Sequence, residues 1–434
     1  MDVFMAFWDI LINNYFRNPP LLLGSIAAVG LSLQKKAFED VFKGAALAAL
    51  GLFMLQEGAG LITGSFLMIT TIFRDIMGAA PQPGLDAASF VAEWGSYTGM
   101  AMFFGLILHL LIAKFTPVKT IFLTGHFLWW FPVTFVGAGV EAGFTGAALV
   151  IFGSVCSALY WSFAPLMTKK YVQDVTGDKW LLGHPSGIFC VISGTVAKYV
   201  GDKSRTSNDL KIPKRLSFLR EIPITGFFVI FAFYIVLNAA YGGIVTYHTG
   251  TPIFTYALNM GMRFGVGILV LLNGVRMLIN QIVPAFEGLS TRLIPNAVPA
   301  FDCPLLFGYR PNAVIIGFLI AIFTTIPLLA ISNHFGLFGT IILVPAIVIC
   351  FFEMGTAAII ADGQGGVRGM FIGTFVAAFF VILFGALGGF IYANTAANRM
   401  ILQAGDQAVF GAITSMIGRA IAPILGFVPL PLGG

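Results

Sequence analysis

The sequence predicts an all-α, polytopic membrane protein. Three observations predict it. Charged residues make up 10% of the chain and hydrophobic ones 58%, whereas a soluble domain carries about 25% charge. Apolar runs of about 20 residues, the length that crosses a bilayer, recur from end to end. Lysine and arginine gather in alternate loops, the pattern that orients a chain in a membrane. The 51 glycines and 21 prolines are tolerated in lipid, where they mark broken or closely packed helices.

In chain order, the apolar runs place spans at 19–34, 44–67, 96–113, 120–138, 145–166, 224–243, 262–283, 313–332, 337–358, 367–393 and 407–425, about eleven in all. Residues 1–18 either extend the first span or lie at the interface as an amphipathic helix. Their lack of a basic region before the apolar run argues against a cleavable signal. Lys35, Lys36 and Lys43 follow the first span, and Lys114 and Lys119 follow the third. Segment 168–222 holds ten of the 24 basic residues, while 243–261 has none. An external N-terminus and a cytoplasmic C-terminus satisfy this asymmetry. The net charge of +5 therefore reports topology and not nucleic-acid binding.

Two stretches fit neither a span nor a plain loop. Both 68–95 and 284–312 are broken by prolines and carry one central aspartate, Asp86 and Asp302. Each follows a segment that opens alike, Gly51-Leu-Phe-Met-Leu55 and Gly274-Val-Arg-Met-Leu278. One falls on the outer side and one on the inner, as an inverted repeat with two re-entrant hairpins requires. The division is then a first repeat over 1–167, a basic cytoplasmic segment over 168–222, a second repeat over 223–393, and a final span and tail over 394–434.

Ionisable residues inside spans are costly and face a cavity or a partner. The candidates are Glu57, Asp86, His109, His126, His184, Arg276, Glu287, Asp302 and Glu353. His109 stands alone on an apolar span and reads as a packed or snorkelling side chain. Arg276 and Glu353 read as an ion pair or as helix-end charges. Thr124-Gly125-His126 and Gly183-His184-Pro185 differ, because glycine permits a break that frees backbone groups for a polar ligand. With Asp302, the two imidazoles can hydrogen-bond several hydroxyls or relay a proton. No HxxxH or HxH spacing suggests a metal. Cys156, Cys190, Cys303 and Cys350 lack CxxC spacing and read as isolated thiols. There is no P-loop, dinucleotide fingerprint or nucleophile elbow, so no cofactor is expected. The residues alone point to a transporter of a small polar solute.

Several motifs, in order, carry a resemblance. They are Asn18-Pro-Pro-Leu-Leu-Leu-Gly24, Gly51-Leu-Phe-Met-Leu-Gln56, Leu123-Thr-Gly-His126, Leu159-Tyr-Trp161, Gly183-His184, Gly274-Val-Arg-Met277 and the run from Phe286 to Cys303. From about residue 15 onward the chain resembles the ascorbate-specific membrane component, enzyme IIC, of the bacterial phosphoenolpyruvate-dependent sugar phosphotransferase system. The resemblance implies a homodimer with a scaffold (V-motif) domain and an elevator-like core domain in the bacterial inner membrane. It implies phosphorylation of the solute by a separate IIB protein, recharged by IIA, with no catalytic nucleophile in this chain. It assigns solute contacts to Thr124, Gly125, His126, His184 and Asp302. At three further contact positions the chain departs from the family. Trp130 and Pro185 stand where the family has glutamines, and Ala87-Ala88 follow Asp86 where it has Thr-Tyr. Each departure removes hydrogen-bonding capacity, so the solute is either ascorbate or a related sugar or sugar acid. A transporter that has lost phosphoryl coupling is the alternative.

Overall fold

The computed structural model describes residues 15 and 18–432, apart from 77–86, 178–179, 211–214, 216–217, 219–220, 293, 340, 342 and 396–404. Eight helices among the described residues are long and apolar enough to cross a membrane, which makes this a multi-pass membrane protein. The first half contains α1 (Pro19–Leu33), α2 (Phe38–Gly64), α3 (Leu67–Ile76), α4 (Ala87–Phe115), α5 (Phe127–Glu141), α6 (Gly146–Met167), α7 (Lys169–Thr176) and α8 (Gly187–Val200). The second contains α9 (Ile222–Ala240), α10 (Ile244–Thr249), α11 (Ile253–Arg292), α12 (Pro304–Phe307), α13 (Pro311–His334), α14 (Ile347–Ile391) and α15 (Gly405–Ile421).

The two segments that open alike in the sequence lie against each other. A Cβ on Gly51 would fall 2.6 Å from the Leu278 nitrogen and 3.0 Å from the Gly274 oxygen. A Cβ on Gly274 would fall 2.5 Å from the Leu55 nitrogen and 2.7 Å from the Gly51 oxygen. The contact is reciprocal, and glycine at both positions lets the backbones of α2 and α11 touch. Small residues serve this purpose where lipid offers no hydrophobic drive for association.

Several elements differ from the spans read off the sequence. The 120–138 run opens as a strand and becomes helical only at Phe127. Segment 284–312 continues α11 to Arg292, then forms a strand and the single turn of α12. The runs 337–358 and 367–393 remain two helical stretches, joined end to end at Gly365 and Gly366 and numbered together as α14, which starts at Ile347. Positive φ at Gly336 and Gly339 ends the preceding helical path. The Asn333 side chain then bonds both the Leu343 oxygen, at 2.7 Å, and the Leu343 nitrogen, at 3.0 Å. Within α14 the helix breaks at Gly365 and Gly366. Segment 201–209 docks into the break, with Asp202 N–H donating to the Gly365 oxygen and Val367 N–H to the Arg205 oxygen, each at 2.8 Å.

The all-α expectation needs one correction. Three short strands, β1 (Thr120–Phe122), β2 (Leu181–Leu182) and β3 (Val298–Phe301), form a parallel sheet in the order β1-β3-β2. Backbone that leaves a helix inside a membrane protein must pair elsewhere, and this sheet supplies the pairing. It extends past its ends through Leu123 N–H to the Ala300 oxygen, at 2.9 Å, and Gly183 N–H to the Phe301 oxygen, at 2.7 Å. His109 completes it. Its Nε2 accepts the Phe122 N–H at 3.1 Å, so the protonated Nδ1 donates to Ser162 Oγ at 2.8 Å. His109 is therefore a fully paired, buried side chain that ties α4, α6 and β1 together.

Candidate functional site

Because the three strands are parallel, their carboxyl ends lie at one edge, and each leads into a candidate residue. β1 leads to Thr124-Gly125-His126, β2 to Gly183-His184, and β3 to Asp302. His126 Nδ1 lies 3.7 Å from Asp302 Oδ2, and His184 Nε2 lies 3.9 Å from Asp302 Oδ1. The sheet thus joins three residues that are far apart in the chain.

The local bonding fixes much of the chemistry. His184 Nδ1 accepts the Ser186 N–H at 3.2 Å, so a neutral His184 carries its proton on Nε2, facing Asp302. Asp302 Oδ1 also accepts the Cys303 N–H at 2.8 Å. His126 Nδ1 and Thr124 Oγ1 are buried without a hydrogen-bond partner. Buried polar atoms are normally paired, and these two are not. Cys303 adds a sulfur within 4.8 Å of ligand atoms on His184 and Asp302, a cluster that a cation could bridge.

His126, His184, Asp302 and Trp130 line one cavity of about 530 Å³. Gln56, Thr63, Phe127, Glu353 and Gln407 share its wall. The Phe127 ring stacks at a tilt 4.2 Å from His126 and meets His184 edge-on at 5.0 Å. Gly125 and Pro185 are not among the residues that line the cavity, and the Pro185 oxygen accepts the Asp406 N–H at 2.8 Å. Ala87 and Ala88 open α4, while Asp86 lies outside the described residues. Arg276 and Glu353 do not pair. Arg276 is exposed on α11, while Glu353 is buried and accepts the Gly405 N–H at 3.0 Å.

Gln56, Thr63 and Gln407 did not stand out in the sequence. Each is an uncharged polar residue in a mostly apolar helix, where such residues often serve packing. Gln56 had one signal, its place in the motif beginning at Gly51.

A family model described as the PTS system sugar-specific permease component (EIIC-GAT) matches residues 14–406. The chain belongs to this permease family. Among curated proteins, the permease is similar to the ascorbate-specific PTS system EIIC component of Mycoplasma pneumoniae (strain ATCC 29342 / M129 / Subtype 1). The two are 25% identical, and the match covers 82% of this chain. The permease spans about 63% of that relative's length.

Proposed function

We propose that this permease carries ascorbate, or a related sugar or sugar acid, across the bacterial inner membrane while a separate IIB protein phosphorylates it. The observation that carries the reading is the trio His126, His184 and Asp302, set on one cavity wall with His126 Nδ1 unpaired. A hydroxylated ring offers donors to Asp302 and acceptors to His184 Nε2–H, and Phe127 and Trp130 supply flat apolar surface for its face. Thr124 and Gly125 shape the turn that presents His126. Phosphoryl transfer asks mainly for positioning and charge stabilisation, so IIB brings the phosphoryl group and this chain holds the acceptor hydroxyl. Asp302 or an imidazole takes up the hydroxyl proton.

The same reading extends to architecture. The reciprocal α2–α11 contact supports inverted repeats over 1–167 and 223–393, with the basic segment 168–222 cytoplasmic and the N-terminus outside. Eleven spans, two re-entrant hairpins, a scaffold and a moving core, and a homodimer complete the proposal.

The test is uptake of labelled ascorbate into vesicles containing the purified permease, with and without phosphorylated IIB. Phosphorylated product that appears only with IIB supports the reading. Uptake of unmodified ascorbate without IIB would indicate a secondary transporter. Neither binding nor uptake of ascorbate would remove it as the solute.

A further inference from the structure

Three donor atoms of different chemistry converge where β2 and β3 end. A ring nitrogen of His184, a carboxylate oxygen of Asp302 and the Cys303 sulfur all lie within 4.8 Å of one another. All three residues are buried. Their spacing in the chain gives no sign of a metal centre. The pairing of β2 with β3 brings His184 beside a turn from a distant part of the sequence.

The donor set has a definite preference. Thiolate and imidazole together favour zinc and its neighbours, whereas magnesium and calcium prefer oxygen. Three protein ligands with one open position is how zinc is held where an outside ligand must reach it. Around a tetrahedral ion with bonds of about 2.0–2.3 Å, neighbouring donors stand roughly 3.3–3.7 Å apart. His184 Nε2 and Asp302 Oδ1 are 3.9 Å apart, so a shift of about half an ångström brings them to that separation. One carboxylate and one thiolate balance the charge of a divalent ion, so the buried cluster stays neutral overall. The Cys303 thiol gives its proton to solvent as the ion binds.

Binding also moves the His184 proton from Nε2 to Nδ1. Ser186 Oγ lies 3.0 Å from Nδ1 and can accept it there. A metal-binding imidazole needs such an outer partner to fix its tautomer and orientation. The fourth position falls to water or to His126, whose unpaired Nδ1 lies 3.7 Å from the other Asp302 oxygen.

We propose that His184, Asp302 and Cys303 form a binding site for a thiophilic divalent cation of zinc's class, and that the bound ion shuts out the solute. The ion occupies the His184 and Asp302 atoms assigned to the solute. The exclusion therefore rests on the proposed function, whereas the cation site itself does not.

The test begins with the cation alone. Cobalt(II), whose spectrum reports thiolate ligation and tetrahedral geometry, is titrated into the full-length permease in detergent, followed by zinc. The wild type is expected to show a thiolate-to-cobalt charge-transfer band that zinc removes. Cys303→Ser should lose the band and bind zinc at least about ten-fold more weakly, since loss of even an outer partner costs that much. Cys156→Ser should behave as the wild type. If Cys303→Ser does not fold, Ser186→Ala takes its place, with zinc binding weakened about ten-fold. A wild type without the band, a band that survives in Cys303→Ser, or unchanged zinc binding in Ser186→Ala would overturn the proposal. Binding of labelled ascorbate is then measured with and without zinc. Zinc that blocks ascorbate in the wild type but not in Cys303→Ser supports the exclusion, and ascorbate bound equally in both conditions overturns it. A protein that shows the band but binds no ascorbate keeps the cation site and loses ascorbate as its solute.

Discussion

His126 Nδ1 and Asp302 Oδ2 face each other across 3.7 Å, too far apart to bond directly. Under the proposed function a solute hydroxyl can donate to the carboxylate or bond the imidazole. Asp302→Asn keeps the shape and removes the charge. We predict at least a ten-fold loss of solute binding with thermal stability near wild type, since hydrogen bonds to charged groups contribute about 1.5–3 kcal/mol. Isothermal binding and a melting curve together check this. Undiminished affinity in the variant would remove Asp302 from the site.

His109 acts at a distance, through β1. His109→Leu leaves the buried Phe122 N–H without an acceptor, at a cost of about 1–3 kcal/mol. The expected result is a lower melting temperature in detergent with the order of preference among solutes unchanged. A variant that keeps its melting temperature but prefers a different solute would show that His109 belongs to the site.

The break in α14 tests a backbone requirement. Gly366 has φ +58, and a Cβ there would lie 2.1 Å from the Asp202 oxygen. Strain of this kind costs on the order of 1–3 kcal/mol, and the clash adds to it. Gly366→Ala is expected to release segment 201–209 to limited proteolysis. Gly60→Ala, with nothing within 4 Å of the new Cβ, is expected to leave cleavage unchanged. Equal protection in both variants would contradict the docking.

Asp362 is fully buried and accepts Arg310 Nη1 at 2.8 Å, along with the Ser207 N–H and hydroxyl. Breaking such a pair from one side costs about 3–5 kcal/mol, because a charge is left behind. Arg310→Met should therefore destabilise more than the double variant Arg310→Met/Asp362→Asn. A double-mutant cycle of melting free energies measures the coupling, and additive effects would show that the pair is not coupled.

The sequence made the spans legible because twenty apolar residues have few other uses. It also showed His126, His184 and Asp302, since an ionisable group within an apolar run needs a reason. The sheet that unites them was hidden. Its strands have two to four residues, too few for any periodicity, and β3 contains Pro299, which argues against a strand. His109 looked isolated because one partner is a backbone N–H, which the residue pattern does not encode, and the other, Ser162, is 53 residues away.

The cavity wall holds two carboxylates, Asp302 and Glu353, and two imidazoles, but no lysine or arginine among its described residues. Such a lining suits hydroxyls and offers no cationic partner to a phosphate ester, the product of their phosphorylation. A phosphate ester carries about −1.5 to −2 charges near neutral pH. No cationic side chain of the described wall offsets that charge, which exceeds the single charge of an ascorbate or sugar-acid anion. Under the proposed function, chemistry at the cytoplasmic face turns a guest into a trespasser, and the wall acts as a ratchet that ejects it on the side where it was made.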